Sequence, residues 1–212
     1  MRIRARVVTS TQKMERRMLR ALSREVSARF QSLVSPIQTQ TRALLQVALE
    51  ASPEYQSLLS GQLRTELGVV DPFNALTSLT ASVVGSVYVT STGVRIKNKQ
   101  VFGKIRLVAV PEDIVSRIKM FGSYITEKGT VIPWLEWLLT AGDQIIVRDY
   151  GVSFRFPQHS RTGGAVMVSG DKGWRVPPQF SGVEGSNFIT RAVDTIAPEL
   201  ENFITQTFKN KF

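Results

Sequence analysis

The chain is 212 residues long, 42% hydrophobic and 21% charged, which suits one globular domain, at most with an appended arm. It contains no cysteine, which excludes disulfides, thiolate metal sites and cysteine nucleophiles together. The net charge of +10 is unevenly placed: residues 1–50 hold ten Lys/Arg against Glu15, Glu25 and Glu50. Such asymmetry suggests a polyanion or an acidic protein surface as partner, with a solvated helix face as the plainer alternative. No apolar run reaches the ~18–20 residues of a membrane span, and MRIRARVVTSTQKMERRMLR lacks the apolar core of a signal peptide.

From about Thr9 to Val34 the spacing predicts a helix. Met14, Met18, Leu22, Val26, Phe30 and Leu33 recur every three or four residues on one slowly drifting face, with Arg16, Arg17, Arg20 and Arg24 mostly off it. The stripe carries no Trp and is rich in Met and Val, so packing against its own domain is expected rather than a membrane surface. At 35-SPIQ-38 a capping-box pattern with Pro at the first helical position predicts a kink or an end at Pro36, then a second helix to about Ala51. The same cue recurs at 52-SPEY-55 and, with Asp as cap, at 71-DPF-73, while Gly61 and Gly68 punctuate between them. Residues 1–80 are therefore expected to be mostly helical.

The texture changes from Ala81. SVVGSVYVTS, GVRIKN and KIRLVAV are rich in Val, Ile and Tyr and bounded by Gly, as strands are. Pro111, with Glu112 and Asp113 behind it, opens a short helix to about Lys119, and SYITEKGTVI reads as a hairpin around 127-EKG-129 or as two short extended pieces. Pro133 opens the helix of IPWLEWLL, which Gly142 stops. Two further hairpins are expected, IIVRDYGVSFRF turning at 149-DYG-151 and AVMVSGDKGWRVP turning at 170-GDKG-173. Asn187 to Phe212 closes the chain as an amphipathic helix with Ile189, Val193, Ile196, Leu200, Phe203, Ile204 and Phe208 on one side and a kink or restart at Pro198. The order defines an α+β fold: N-terminal helices, a central antiparallel β-sheet or sandwich with hairpins and short helical inserts, and a C-terminal helix.

The vocabulary for catalysis is thin. His159, the only histidine, sits in the turn-rich PQHSRTGG, and its neighbours Ser160 and Arg161 make no nucleophile–base–orienter set. No paired carboxylates or metal-ligand spacing is visible. The glycines of 161-RTGGAVMV-168 precede a strand, whereas a phosphate-cradling loop follows one and opens a helix; they mark a tight turn or a subunit-contact loop. No enzyme activity, catalytic residue, metal or cofactor is expected. No nucleic-acid-reading motif appears, and the only aromatic in the first fifty residues, Phe30, lies on the apolar stripe. A nonspecific nucleic-acid-binding module using Arg16, Arg17, Arg20 and Arg24 stays open as the alternative function. Trp134 and Trp137, three residues apart with Leu138 beside them, project from nearly one side of their helix and serve either a core or a protein interface.

IPWLEWLLTAGDQIIVRDYGVSF, then SRTGGAVMV, GWRVPPQFSG and NFITRAV before a terminal helix, with SPEYQSLLSGQLRTELGV upstream, resembles the neck or tail-completion (head–tail joining) virion proteins of contractile-tailed bacteriophages. The resemblance covers about residues 52–196. It implies an α+β tail-completion or neck-like domain over 52–212, preceded by a basic helical arm over 1–51 that lies outside the resemblance. It further implies a structural virion protein, assembled in the host bacterial cytoplasm, that forms a six- or twelve-fold ring at the head–tail junction or tail end. Such a ring joins head to tail and lets DNA pass through its lumen. Its expected partners are copies of itself and adjacent neck, tail-terminator or portal and adaptor proteins, with possible nonspecific contact with genomic DNA and no membrane. Carried onto matching segments, 131–154 and 174-WRVPP-178 become core and inter-subunit surface, and 157–164 an interaction loop. Residues 187–196 become the docking site of the last helix. The expected interface residues are Trp134, Trp137, Leu138, Arg161, Trp174 and Phe180; Arg16, Arg17, Arg20 and Arg24 would face DNA or an acidic neighbour.

Overall fold

The computed structural model describes residues 10–98, 100–109, 118, 121–126, 129–170 and 172–211; apart from Ile118, the helix expected to open at Pro111 lies outside them. The chain divides into two compact units. One takes residues up to Thr39, Tyr88–Val108 and the chain from Asn202; the other takes Gln40–Val87 and Ala109–Glu201. The division falls inside α1 (Thr11–Ala51) and inside α6 (Phe188–Lys211). The α+β class, with helices at both ends and antiparallel hairpins between, is observed. Among the described residues the strands pair two by two, as three separate antiparallel ribbons.

Neither internal proline ends its helix. Pro36 lies within α1 and Pro198 within α6. A proline there removes one N–H and crowds the carbonyl four residues back, at about 3 kcal/mol. Buried apolar side chains on either side, Leu33 and Ile37 around Pro36 and Ile196 and Leu200 around Pro198, offset that loss, since each fully buried side chain contributes about 1.5–3 kcal/mol. The capping cue at Ser35 is overridden by the apolar face that runs through it.

The smaller unit packs the middle of α1 and the end of α6 against a ribbon of β1 (Tyr88–Lys97) and β2 (Gln100–Val108). Leu33, Ile37 and Val89 form its centre, flanked by Val34, Ile105, Leu107, Phe203, Ile204 and Phe208. Phe30 meets Phe208 edge-on with centroids 5.6 Å apart, a favourable geometry for aromatic quadrupoles. The Phe30 ring also lies over Gly103, where an added Cβ would come within 2.9 Å of it. Self-packing of the α1 stripe therefore holds from Phe30 onward. It fails earlier, because Met14, Met18 and Leu22 remain exposed.

In the larger unit the predicted caps form. Ser52 Oγ accepts from Tyr55 N (3.3 Å) at the start of α2 (Pro53–Ser60), and Asp71 Oδ1 accepts from Asn74 N (3.1 Å) at the start of α4 (Pro72–Gly85). Between them α3 (Gln62–Leu67) ends at Gly68, whose φ of 70° is the left-handed conformation of a helix C-cap. The strand expected from Ala81 begins only at Tyr88, and the residues up to Gly85 are instead the last turn of α4. Leu76, Leu79, Thr80 and Val83 share one buried face, and that helical period outweighs the strand preference of Val83 and Val84. Arg42 of α1 donates to the carbonyls of Gly85 and Val87, which have no partner within the helix.

The two hairpins expected around 149-DYG-151 and 170-GDKG-173 do not form separately. After the short ribbon β3 (Tyr124–Ile125)/β4 (Val131–Ile132) and helix α5 (Trp134–Thr140), strand β5 (Tyr150–Ser153) pairs with β6 (Val166–Ser169). Beyond it Val147 bridges Trp174. The two turn motifs thus lie opposite one another in a single ribbon, where Gly170 N donates to Asp149 O (2.9 Å). Asp149 and Gly173 both have positive φ, and a Cβ on Gly173 would lie 2.7 Å from Ile145 Cγ2. These residues interrupt the ladder without reversing the chain.

An ion pair on a buried carboxylate ties α2 to α6. The Glu54 carboxylate is almost fully buried and meets Arg191 at 2.5 Å; as a first-turn residue it also faces the positive end of α2. We predict that Arg191→Met, which keeps the apolar stem and removes the charge, destabilises the larger unit by about 3 kcal/mol. Adding Glu54→Gln should restore much of that loss. Urea unfolding of the single and double variants measures both changes.

Candidate interaction surfaces

A groove of about 840 Å³ lies in the larger unit. Its walls come from the end of α3 (Thr65, Glu66, Gly68), from the β3–β4 ribbon, and from the loop 158–162 that leads towards β6. Two close approaches hold this loop against the unit, and hydrogen bonds to Ser160 fix its own shape. The Arg161 guanidinium sits 4.3 Å from the centre of the Tyr124 ring, within cation–π range. Ser160 Oγ accepts from Thr162 N (3.2 Å) and Ala165 N (3.3 Å). Gly164 lies so close to α3 that a Cβ there would be 2.5 Å from Thr65 Cγ2, and Gly68 lies equally close beneath the Tyr124 hydroxyl. The paired glycines of RTGG serve this seating of the loop, at Gly164, and a left-handed backbone turn at Gly163, where φ is 73°.

Burial pushes the Tyr124 hydroxyl above its ordinary pKa of 10, and the nearby Arg161 charge opposes that rise. His159 and Ser160 line the same groove. Ser160 Oγ meets Thr162 and the Ala165 N–H, all within its own loop.

The expected interface residues separate into two groups. Trp134, Leu138 and Trp174 are core: each is 6% exposed or less, so an interface role for them gives way to a packing role within the subunit. Trp174 N–H and C=O pair with Val147, its indole N–H donates to Glu66 Oε2 at 2.9 Å, and its ring tilts against Trp137 with centroids 6.0 Å apart. Trp137 and Phe180 are half-buried and Arg161 is exposed, which leaves these three open to a neighbour. Arg16, Arg17, Arg20 and Arg24 are exposed along α1.

Other exposed apolar residues escaped the sequence reading. Ile125 and Val131 are cross-strand partners on the outer side of the β3–β4 ribbon, 70% and 57% exposed, whereas Tyr124 and Ile132 line the groove. Phe154, Phe156 and Met167 are also exposed near the β5–β6 loop. Period-two alternation in SYITEKGTVI and VSFRF was the available signal, but alternation alone does not say which side meets solvent. No family model, curated protein or solved structure matches the chain.

The Tyr124 arrangement has a pH signature. A raised folded-state pKa contributes stability that is complete below pH 10 and is lost as pH rises from there through the folded value. Spectrophotometric titration should therefore show one tyrosine ionising late, missing from Tyr124→Phe. Arg161→Gln should delay it further, because it removes the charge that favours phenolate.

Proposed function

We propose that the chain is a structural virion protein of a contractile-tailed bacteriophage that assembles with copies of itself into a ring at the head–tail junction or tail end. The ring joins head to tail, passes DNA through its lumen, and meets neighbouring neck, terminator or portal and adaptor proteins. One observation supports self-assembly most strongly: the outward pair Ile125 and Val131 on the β3–β4 ribbon, two β-branched side chains held opposite each other in water. Phe154 and Phe156 provide a second, different apolar surface on the same unit. A ring requires two unlike surfaces per subunit, each meeting the other on the next copy, and aromatic and β-branched residues on ribbons are suited to such contacts. The virion setting, as against another ring-former, rests on the resemblance of residues 52–196.

Sedimentation equilibrium of the purified full chain is expected to give a mass near six or twelve subunits. Ile125→Glu and Val131→Glu should each shift it to monomer with an unchanged far-ultraviolet circular dichroism spectrum. A wild-type chain that stays monomeric at high concentration, or variants that assemble like wild type, would contradict the proposal.

A further inference from the structure

The outer face of the β1–β2 ribbon carries a surface that the ring reading leaves unassigned. Cross-strand partners share a face, and the register sets Thr90 opposite Arg106, Thr92 opposite Lys104, Arg95 opposite Phe102 and Lys97 opposite Gln100. The irregularity between Thr92 and Arg95 takes up one extra residue in β1, so the alternation resumes in phase and the face continues towards the tip. All eight of these residues are exposed. The reverse face holds Val89, Ile105 and Leu107 in the core and Gly103 against Phe30. A one-residue slip would drive the cations into that core, so the basic face is fixed outward.

Four cations therefore share the face of the exposed Phe102, on a ribbon whose sequence from Tyr88 to Val108 contains no Asp or Glu. Among the described residues none of Arg95, Lys97, Lys104 and Arg106 forms an ion pair. The same separation holds at the scale of the units. The described part of the smaller unit has 12 Lys/Arg against 2 Asp/Glu, and that of the larger has 8 against 11. The net positive charge of the protein is thus concentrated in the unit that carries this ribbon.

We propose that this face binds nucleic acid without sequence preference, with Arg95, Lys97, Lys104 and Arg106 neutralising phosphates and Phe102 offering its ring to an unpaired base. Clustered cations around a stacking aromatic are what single-strand binding needs, and a two-stranded ribbon also fits a duplex major groove. An acidic protein partner is the weaker match, because protein interfaces are depleted in Lys at their centres. A lipid surface fits less well again. Membrane-bound elements bury an apolar face in the lipid, and the apolar face of this ribbon is already committed to α1 and α6. The inference goes beyond the ring and concerns the single subunit, so it stands or falls independently of assembly.

The test is fluorescence anisotropy of the full chain with a labelled 30-nucleotide single strand and the matching duplex, from low to physiological salt. Wild type is expected to bind both, with dissociation constants in the range of about 10⁻⁴–10⁻⁶ M near physiological salt. The combined variant Arg95→Gln, Lys97→Gln, Lys104→Gln, Arg106→Gln should weaken binding at low salt by about 100-fold or more and flatten the log–log salt slope for the single strand by about 3. Phe102→Ala should weaken single-strand binding by at least about fivefold and duplex binding less. All five side chains are exposed, and an unchanged melting curve verifies that each variant is folded. Three outcomes would overturn the proposal: no binding by wild type at low salt; a ribbon variant that binds as wild type does while Arg16→Gln, Arg17→Gln, Arg20→Gln, Arg24→Gln abolishes binding; or polyglutamate or anionic vesicles bound as tightly as the single strand.

Discussion

Trp174 ties the larger unit together. Its backbone pairs with Val147 to extend the β5–β6 ribbon, its indole N–H reaches the Glu66 carboxylate of α3, and its ring tilts against Trp137 of α5. A buried indole needs an acceptor for its one donor, and Glu66 supplies it while accepting a second hydrogen bond from Gln62. Through these contacts one side chain joins the ribbon to α3 and α5. The groove walled by α3 and the 158–162 loop is also lined by this ribbon, at Val152, Val166 and Met167. The paired tryptophans of PWLEWLL therefore have different roles: Trp134 fills the core, and Trp137 braces Trp174 from a half-buried position.

Much of the fold could be read from local chemistry. Ser52 and Asp71 cap their helices as their Ser-Pro and Asp-Pro cues predict, Gly68 takes a left-handed conformation, and Gly142 follows α5 with a φ of 56°. The readings that failed have a common physical origin. The end at Pro36, the restart at Pro198 and the strand through Val83–Val84 did not form, because a buried helical face continued through each position. At 149-DYG-151 and 170-GDKG-173 two good turn sequences were paired with each other rather than with their own flanks. Turn chemistry specifies that a backbone bends; which strands then pair is decided by long-range packing.

The candidate surfaces were less legible for a different reason. Alternation in SYITEKGTVI or in the β1–β2 segment marks two faces of a ribbon, but only the tertiary structure says which face is covered. Tyr124 and Ile132 line the groove and leave Ile125 and Val131 in water; Val89, Ile105 and Leu107 turn into the core and leave Arg95, Lys97, Lys104 and Arg106 outside. Attention to the charge of the first fifty residues captured the arginines of α1 and missed these four. The structure gathers both groups into one unit that holds only Glu15 and Glu25 as acids among its described residues. A unit with this charge repels itself. The exposed apolar side chains of the larger unit and the concentrated positive charge of the smaller one are chemically distinct surfaces.

The central claim is that copies of this chain meet through unlike surfaces and close on themselves. Closure is a matter of symmetry: heterologous contacts give a ring when the rotation between subunits divides a full turn, and an open filament when it does not. Electron microscopy of the purified full chain, with rotational symmetry determined from unaligned end-on views, tests this most directly. The account predicts closed rings of six- or twelve-fold symmetry around an open lumen. Isolated subunits at every concentration, or helical filaments without closure, would contradict it.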